Sequence, residues 1–168
     1  MKMKTLFVAL FCLIFAVTGC VPTSELYIGK PVTSAPIIEF QKAENAAGTW
    51  QTFDVTINYT YTVSGGLIEI AGQGELSQHY QMMYNGVRTM RVYLFLLDAD
   101  AVVLETVEIP AFLINTEDKF TFNIPFKVNE SMKGFSFGYR GVASDMEDKH
   151  TLTVCHETLL LKISQPGQ

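Results

Sequence analysis

The stretch Thr52-Phe53-Asp54-Val55-Thr56-Ile57-Asn58-Tyr59-Thr60-Tyr61-Thr62-Val63 decides the fold class. Apolar and polar side chains alternate without a break, and in an extended chain successive side chains point to opposite faces. The segment therefore reads as a strand whose Phe53, Val55, Ile57, Tyr59, Tyr61 and Val63 face a core. Ser64-Gly65-Gly66 is a turn signal, and Leu67-Ile68-Glu69-Ile70 resumes the apolar pattern, so the two segments form a hairpin. Gly72 and Gly74 suggest a bulge or bend in the second strand.

The same reading extends toward the C-terminus. After the turn dipeptide Asn85-Gly86, residues Met90 to Leu97 are almost entirely apolar and read as a central strand buried on both faces. Asp98-Ala99-Asp100 turns the chain, and Val102 to Ile109 forms a strand that Pro110 ends. Phe120, Phe122, Ile124 and Phe126 alternate with polar residues, as do Phe135, Phe137 and Tyr139, which gives two half-buried strands. Residues 143–150 read as a polar loop and 151–163 as a closing strand, with room for a short helix around Glu157 to Lys162. No long segment has helical period. About eight short strands spaced in this way point to an all-β, antiparallel sandwich, and the aromatic stripes at 53–61, 120–126 and 135–139 belong to its core.

The N-terminus has a different character. Met1-Lys2-Met3-Lys4 precedes the uncharged run Leu6 to Val17, the order of a secretory signal. That run is well short of the roughly 20 apolar residues a membrane-spanning helix needs, so cleavage is expected rather than retention. Val17-Thr18-Gly19-Cys20 resembles the lipobox of bacterial lipoproteins, with Val17 where leucine is commoner. The resemblance implies a signal peptide over 1–19 and a diacylglycerol on Cys20, which would anchor the chain to a membrane. Two acyl chains at one site hold a protein stably where one binds marginally. Residues 20–35, with their prolines, glycine and small polar side chains, read as the lipidated N-terminus and a tether, and 36–168 as one domain. Val21 stands where an aspartate would, by resemblance to enteric lipoproteins, retain the protein at the inner membrane. In a Gram-negative envelope the expected location is therefore the outer membrane, facing the periplasm.

Loss of residues 1–19 leaves 10 basic against 17 acidic side chains and a formal charge of −7. With no cluster of Lys and Arg, nucleic acid is excluded as a partner. Cys12 leaves with the signal and Cys20 takes lipid, so Cys155 stands alone and reads as a small buried hydrophobe.

Leu94-Phe95-Leu96-Leu97-Asp98 is distantly similar to the FxLYD-type domains of bacterial envelope proteins, with only Leu96 and Asp98 matching outright. Those domains are immunoglobulin-like sandwiches, and the resemblance, spanning about residues 50–142, implies a binding or spacer module without catalytic residues. Gly134-Phe135-Ser136-Phe137-Gly138 fits the G-x-S-x-G turn of α/β-hydrolases, with Asp145 or Asp148 and then His150 or His156 following in order. That elbow needs a strand before it and a helix after it, whereas Ser136 lies inside an alternating strand, so it reads as a serine on a polar strand face. Asp145, Glu147, Asp148, His150 and His156 match no zinc or calcium spacing and read as a solvated loop, a metal site being the weaker alternative. Asp98 and Asp100 read as turn residues and His79 as an ordinary surface histidine. No cofactor motif is present. The expectation is a non-enzymatic, membrane-anchored module that contacts another envelope protein or a cell-wall component. Its rival is a periplasmic lipoprotein that carries a small ligand or a metal.

Overall fold

Alternation between 55 and 64 and between 67 and 76 places two long strands back to back, and the chain builds outward from that hairpin. The computed structural model describes residues 26–33, 35–40, 45–127, 129–144 and 152–153. Along them run β1 (Ile38–Glu39), β2 (Asn45–Gln51), β3 (Val55–Ser64), β4 (Leu67–Leu76), the short helix α1 (Gln78–Met83), β5 (Gly86–Leu97), β6 (Val103–Ile109), β7 (Lys119–Lys127), β8 (Gly134–Ser144) and β9 (Leu152–Thr153). One sheet has the order β2-β3-β4-β7 and the other β1-β8-β5-β6, with β9 also on β8, and every pairing is antiparallel. β1 meets β8 at Phe135 and Gly134 while β9 meets it at Val142 and Ala143, so the two short strands share one flank of β8. Leaving β1 and β2 aside, β3-β4-β7 faces β9-β8-β5-β6, the Greek-key order of an immunoglobulin-like sandwich with a strand added to the edge of the C, F and G sheet. The expected all-β antiparallel sandwich is the fold.

Its core lies where the inward faces meet. Val55, Ile57 and Tyr61 of β3, Ile68 and Ile70 of β4, and Phe120, Phe122 and Phe126 of β7 pack against Val92, Leu94 and Leu96 of β5 and Phe135, Phe137 and Tyr139 of β8. Trp50, the one tryptophan, is buried edge-on to Phe137 at 5.6 Å between ring centres. Burying these rings together with the aliphatic side chains removes the apolar area that drives the sheets together.

The structure departs from the sequence reading in several places. Phe53 is exposed: the chain turns at Thr52, whose hydroxyl accepts the amides of Asp54 and Val55, and the strand starts at Val55. Gly72 and Gly74 make no bulge, since β4 pairs in unbroken register with both neighbours. They leave room instead, because a Cβ on Gly74 would enter the Phe120 ring and one on Gly72 would lie 2.7 Å from the Phe122 ring. β8 is buried on both faces rather than one, with Ser136 fully enclosed. The chain between Leu76 and Gly86 contains α1, whose sequence Gln-His-Tyr-Gln-Met-Met has no apolar stripe to announce a helix.

The cover over the outer face of β8 and β5 comes from the stretch read as tether. Tyr27 and Val32 are buried against Tyr93, Phe95 and Leu97 of β5 and Val103 of β6. The amide of Gly29 donates to the Val103 carbonyl at 2.8 Å, Val103 returns a bond to Lys30, and Pro31 opposes Val102 as an antiparallel bridge. Residues 26–32 are thus part of the folded body. Of the expected closing strand only Leu152 and Thr153 are described; the possible helix near Glu157 lies outside the described residues, as do 1–25.

Candidate functional site

Ser136, the one residue carrying a catalytic motif, sits mid-strand in β8 with no exposed surface. Its Oγ donates to the carbonyl of Pro36 at 2.8 Å, and the same carbonyl accepts the Trp50 indole N–H at 3.0 Å. A nucleophile must reach solvent and a base. This hydroxyl instead ties the segment before β1 to the middle of the sandwich. The expectation of a polar-face serine is corrected, because that face is covered by the N-terminal segment.

A second polar node lies at the β2–β3 corner. The Tyr139 hydroxyl donates to Asp54 Oδ2 at 2.7 Å and lies 2.8 Å from Thr52 Oγ1, with Trp50 edge-on to the Tyr139 ring at 6.1 Å. Asp54 and Tyr139 are both buried, so the node locks the corner against β8. Asp98, by contrast, is a turn residue as expected: its Oδ1 accepts the amides of Asp100 and Val102, both at 2.9 Å. His79 is exposed on α1 with its ring 5.2 Å from that of Phe53. Among the described residues no three His, Cys, Asp or Glu side chains converge as metal ligands. Cys20, Cys155, Asp145, Asp148, His150 and His156 lie outside those residues.

The surface with the most organised geometry is the exposed flank of the β2 sheet. β2 pairs with β3 alone among the described residues, and no described strand covers its other edge. Its sequence, Asn45-Ala46-Ala47-Gly48-Thr49-Trp50-Gln51, holds neither charge nor proline. The opposite edge of the same sheet, β7, carries Lys119, Pro125 and Lys127, the residues that block strand addition. One edge is guarded and the other is open.

Beside the open edge lies a recess of about 620 Å³, lined by Ile38, Glu39, Phe40, Ala46, Tyr59 and Tyr61, among others. Tyr59 lies flat across β2, because Gly48 has no side chain: a Cβ there would be 2.5 Å from the Tyr59 hydroxyl. Partial burial raises the Tyr59 phenol above its ordinary value, with the neighbouring Tyr61 adding to the effect, so it stays a neutral donor and acceptor. Phe40 closes the recess edge-on to Tyr61 at 5.7 Å. The arrangement can accept an extended peptide along β2 and place an apolar side chain on the tyrosines. Sequence reading missed this site, although the contrast in charge between β2 and β7 was there to be seen.

No protein-family model, no curated protein and no solved structure matches this chain.

Proposed function

We propose that the chain is a cell-envelope lipoprotein, anchored through a diacylglycerol on Cys20, whose sandwich is a non-catalytic module that binds an extended segment of an envelope protein along β2. The order of a charged start, an uncharged apolar run and Val17-Thr18-Gly19-Cys20 supports the anchor. The binding role rests on a single observation, the unguarded edge of β2 beside the Tyr59 and Tyr61 recess. Main-chain pairing supplies affinity in such complexes, and the pocket beside the edge supplies specificity. Enclosure of Ser136 supports a non-catalytic reading of the G-x-S-x-G motif. The distant likeness of Leu94 to Asp98 to FxLYD-type domains agrees with a binding module and remains part of this proposal.

Two measurements test the reading. Mass analysis of the N-terminal peptide should show diacylglycerol on Cys20 and none in a Cys20→Ala variant. Capture from detergent-solubilised membranes should enrich a partner with the wild type and lose it when the exposed Ala47 and Thr49 are both changed to lysine, which arms the edge with charge. Equal capture by the two proteins would remove β2 as the binding edge.

A further inference from the structure

We infer that the recess between β1 and the turn at Asp98 to Ala101 binds a small zwitterion, a free amino acid whose ammonium sits between Glu39 and Asp98 and whose carboxylate pairs with Lys133. This site is separate from the β2 edge and depends on neither the lipid anchor nor the peptide reading proposed above.

The recess originates in the register of the sheet. Ile38 and Phe40 pack on the core, so Glu39 between them points to the opposite face. Glu39 opposes Gly134 of β8, and Gly134 opposes Leu97 of β5, which makes one row of three across the sheet. The middle position has no side chain, and a Cβ there would lie 2.5 Å from the Ile38 carbonyl oxygen. A gap of about 450 Å³ is left, lined by Ile37, Glu39, Asp98, Ala101, Lys133 and Gly134, among others. Pockets for small ligands have this size. β1 separates the gap from the recess at Tyr59 and Tyr61.

Both walls are held by backbone bonds. The Lys133 amide donates to the Leu97 carbonyl at 2.8 Å, and its own carbonyl accepts the Phe40 amide at 2.9 Å, so the root of the Lys133 side chain is fixed between strands. On the other wall Asp98 Oδ1 accepts the amides of Asp100 and Val102, and the Ala101 amide donates to the Asp98 carbonyl at 3.2 Å. Ala101 takes φ 60°, a conformation in which glycine is the usual residue.

Charge selects the ligand. Two carboxylates and one ammonium line the same recess, yet among the described residues none of the three forms an ion pair. Asp98 Oδ2 takes no part in the turn bonds. Lys133 Nζ donates to the Glu130 carbonyl at 2.7 Å, which leaves two of its three N–H groups for a ligand. Unlike charges that share a recess without closing on each other leave room for a molecule that carries the complementary pair. An amino acid fits: its ammonium meets the carboxylates, its carboxylate meets Lys133, and its side chain lies toward Ile37, an apolar residue 44% exposed. A plain amine or a plain acid satisfies one wall and leaves the other without a partner.

The test titrates the full chain in detergent micelles with glycine, alanine, valine and leucine, followed by NMR of the backbone amides. At least one should give saturable shifts confined to residues 37–40, 98–102 and 132–134. The tightest binder should lose about tenfold in affinity when it is replaced by the matching amine or by the matching acid, since each lacks one charge-assisted contact. Lys133→Met should abolish the preference for amino acid over amine, and Glu39→Gln should narrow the preference for amino acid over acid. A merely structural role for either residue would not produce such crossed losses. No saturation with any of the four amino acids, equal affinity for an amino acid and its singly charged analogues, or a preference that survives in Lys133→Met would each overturn the inference. The Ala47 and Thr49 lysine variant should leave the titration unchanged, so loss of the β2 reading and loss of this one are told apart.

Discussion

Two side chains show how much single contacts decide in this protein. Tyr139 belongs to an aromatic stripe, and its place in the core was legible from period two alone; its hydroxyl bond to the buried Asp54 was not, because nothing in the local sequence pairs residues 85 positions apart. Tyr139→Phe leaves a buried carboxyl short of a donor and should cost about 1–3 kcal/mol in urea unfolding, more than Tyr59→Phe at the half-exposed recess. Equal losses would sink the node as a stabilising contact. Asp118 works differently. It is half-exposed, and the amides of Asn115 and Ile114, each 2.8 Å from its Oδ2, hold its carboxyl below the ordinary value of 3.8. The bonds favour the charged form, so their contribution is complete above that ordinary value and disappears as pH falls through the lower folded one. Amide resonances of Ile114 and Asn115 should thus titrate together with a midpoint below 3.8 and stay flat in Asp118→Asn. A midpoint at or above it would contradict the assignment.

At the level of strands, alternation was a dependable guide wherever one face met solvent. β3 from Val55 onward and β7 from Phe120 to Phe126 follow it residue by residue. It misled where a small or polar residue is covered by something distant in sequence: Ser136 looks like part of an outer face, yet the residues before β1 lie on it. Glycines misled for a related reason. In β4 they read as irregularity, whereas their role is to admit rings from β7. Gly74→Ala should therefore destabilise the domain by about 1–3 kcal/mol through overpacking against Phe120, and Phe120→Leu in the same chain should recover part of that loss. Additive losses would show that the two positions do not compete for space. The open edge of β2 was readable in principle, since charge and proline content are visible without a structure, but only the pairing order reveals which strands are edges.

For the molecule as a whole, the class of fold followed from strand count and turn spacing, while the division into sheets did not. It depends on which strands cross from sheet to sheet. The least legible feature is the N-terminal segment. Its prolines and glycine look like a linker, yet the Tyr27 ring packs at 5.3 Å from that of Tyr93 and 5.2 Å from that of Phe95. Tyr27→Ala should cost about 3–5 kcal/mol, as for other buried aromatics, and should expose the outer face of β5 to hydrogen exchange. A loose tether at that position would leave both unchanged.

The Ser136 to Pro36 bond joins positions 100 residues apart, and that separation carries a consequence for timing. β5 cannot be flanked on both sides, nor the first residues of the domain held down, until β8 has been delivered from near the far end of the chain. Sandwiches with such non-local pairing fold in milliseconds to seconds rather than microseconds. A chain threaded through a membrane with its N-terminus leading would emerge almost entirely before it could close, and so would stay open for as long as passage requires it to be open.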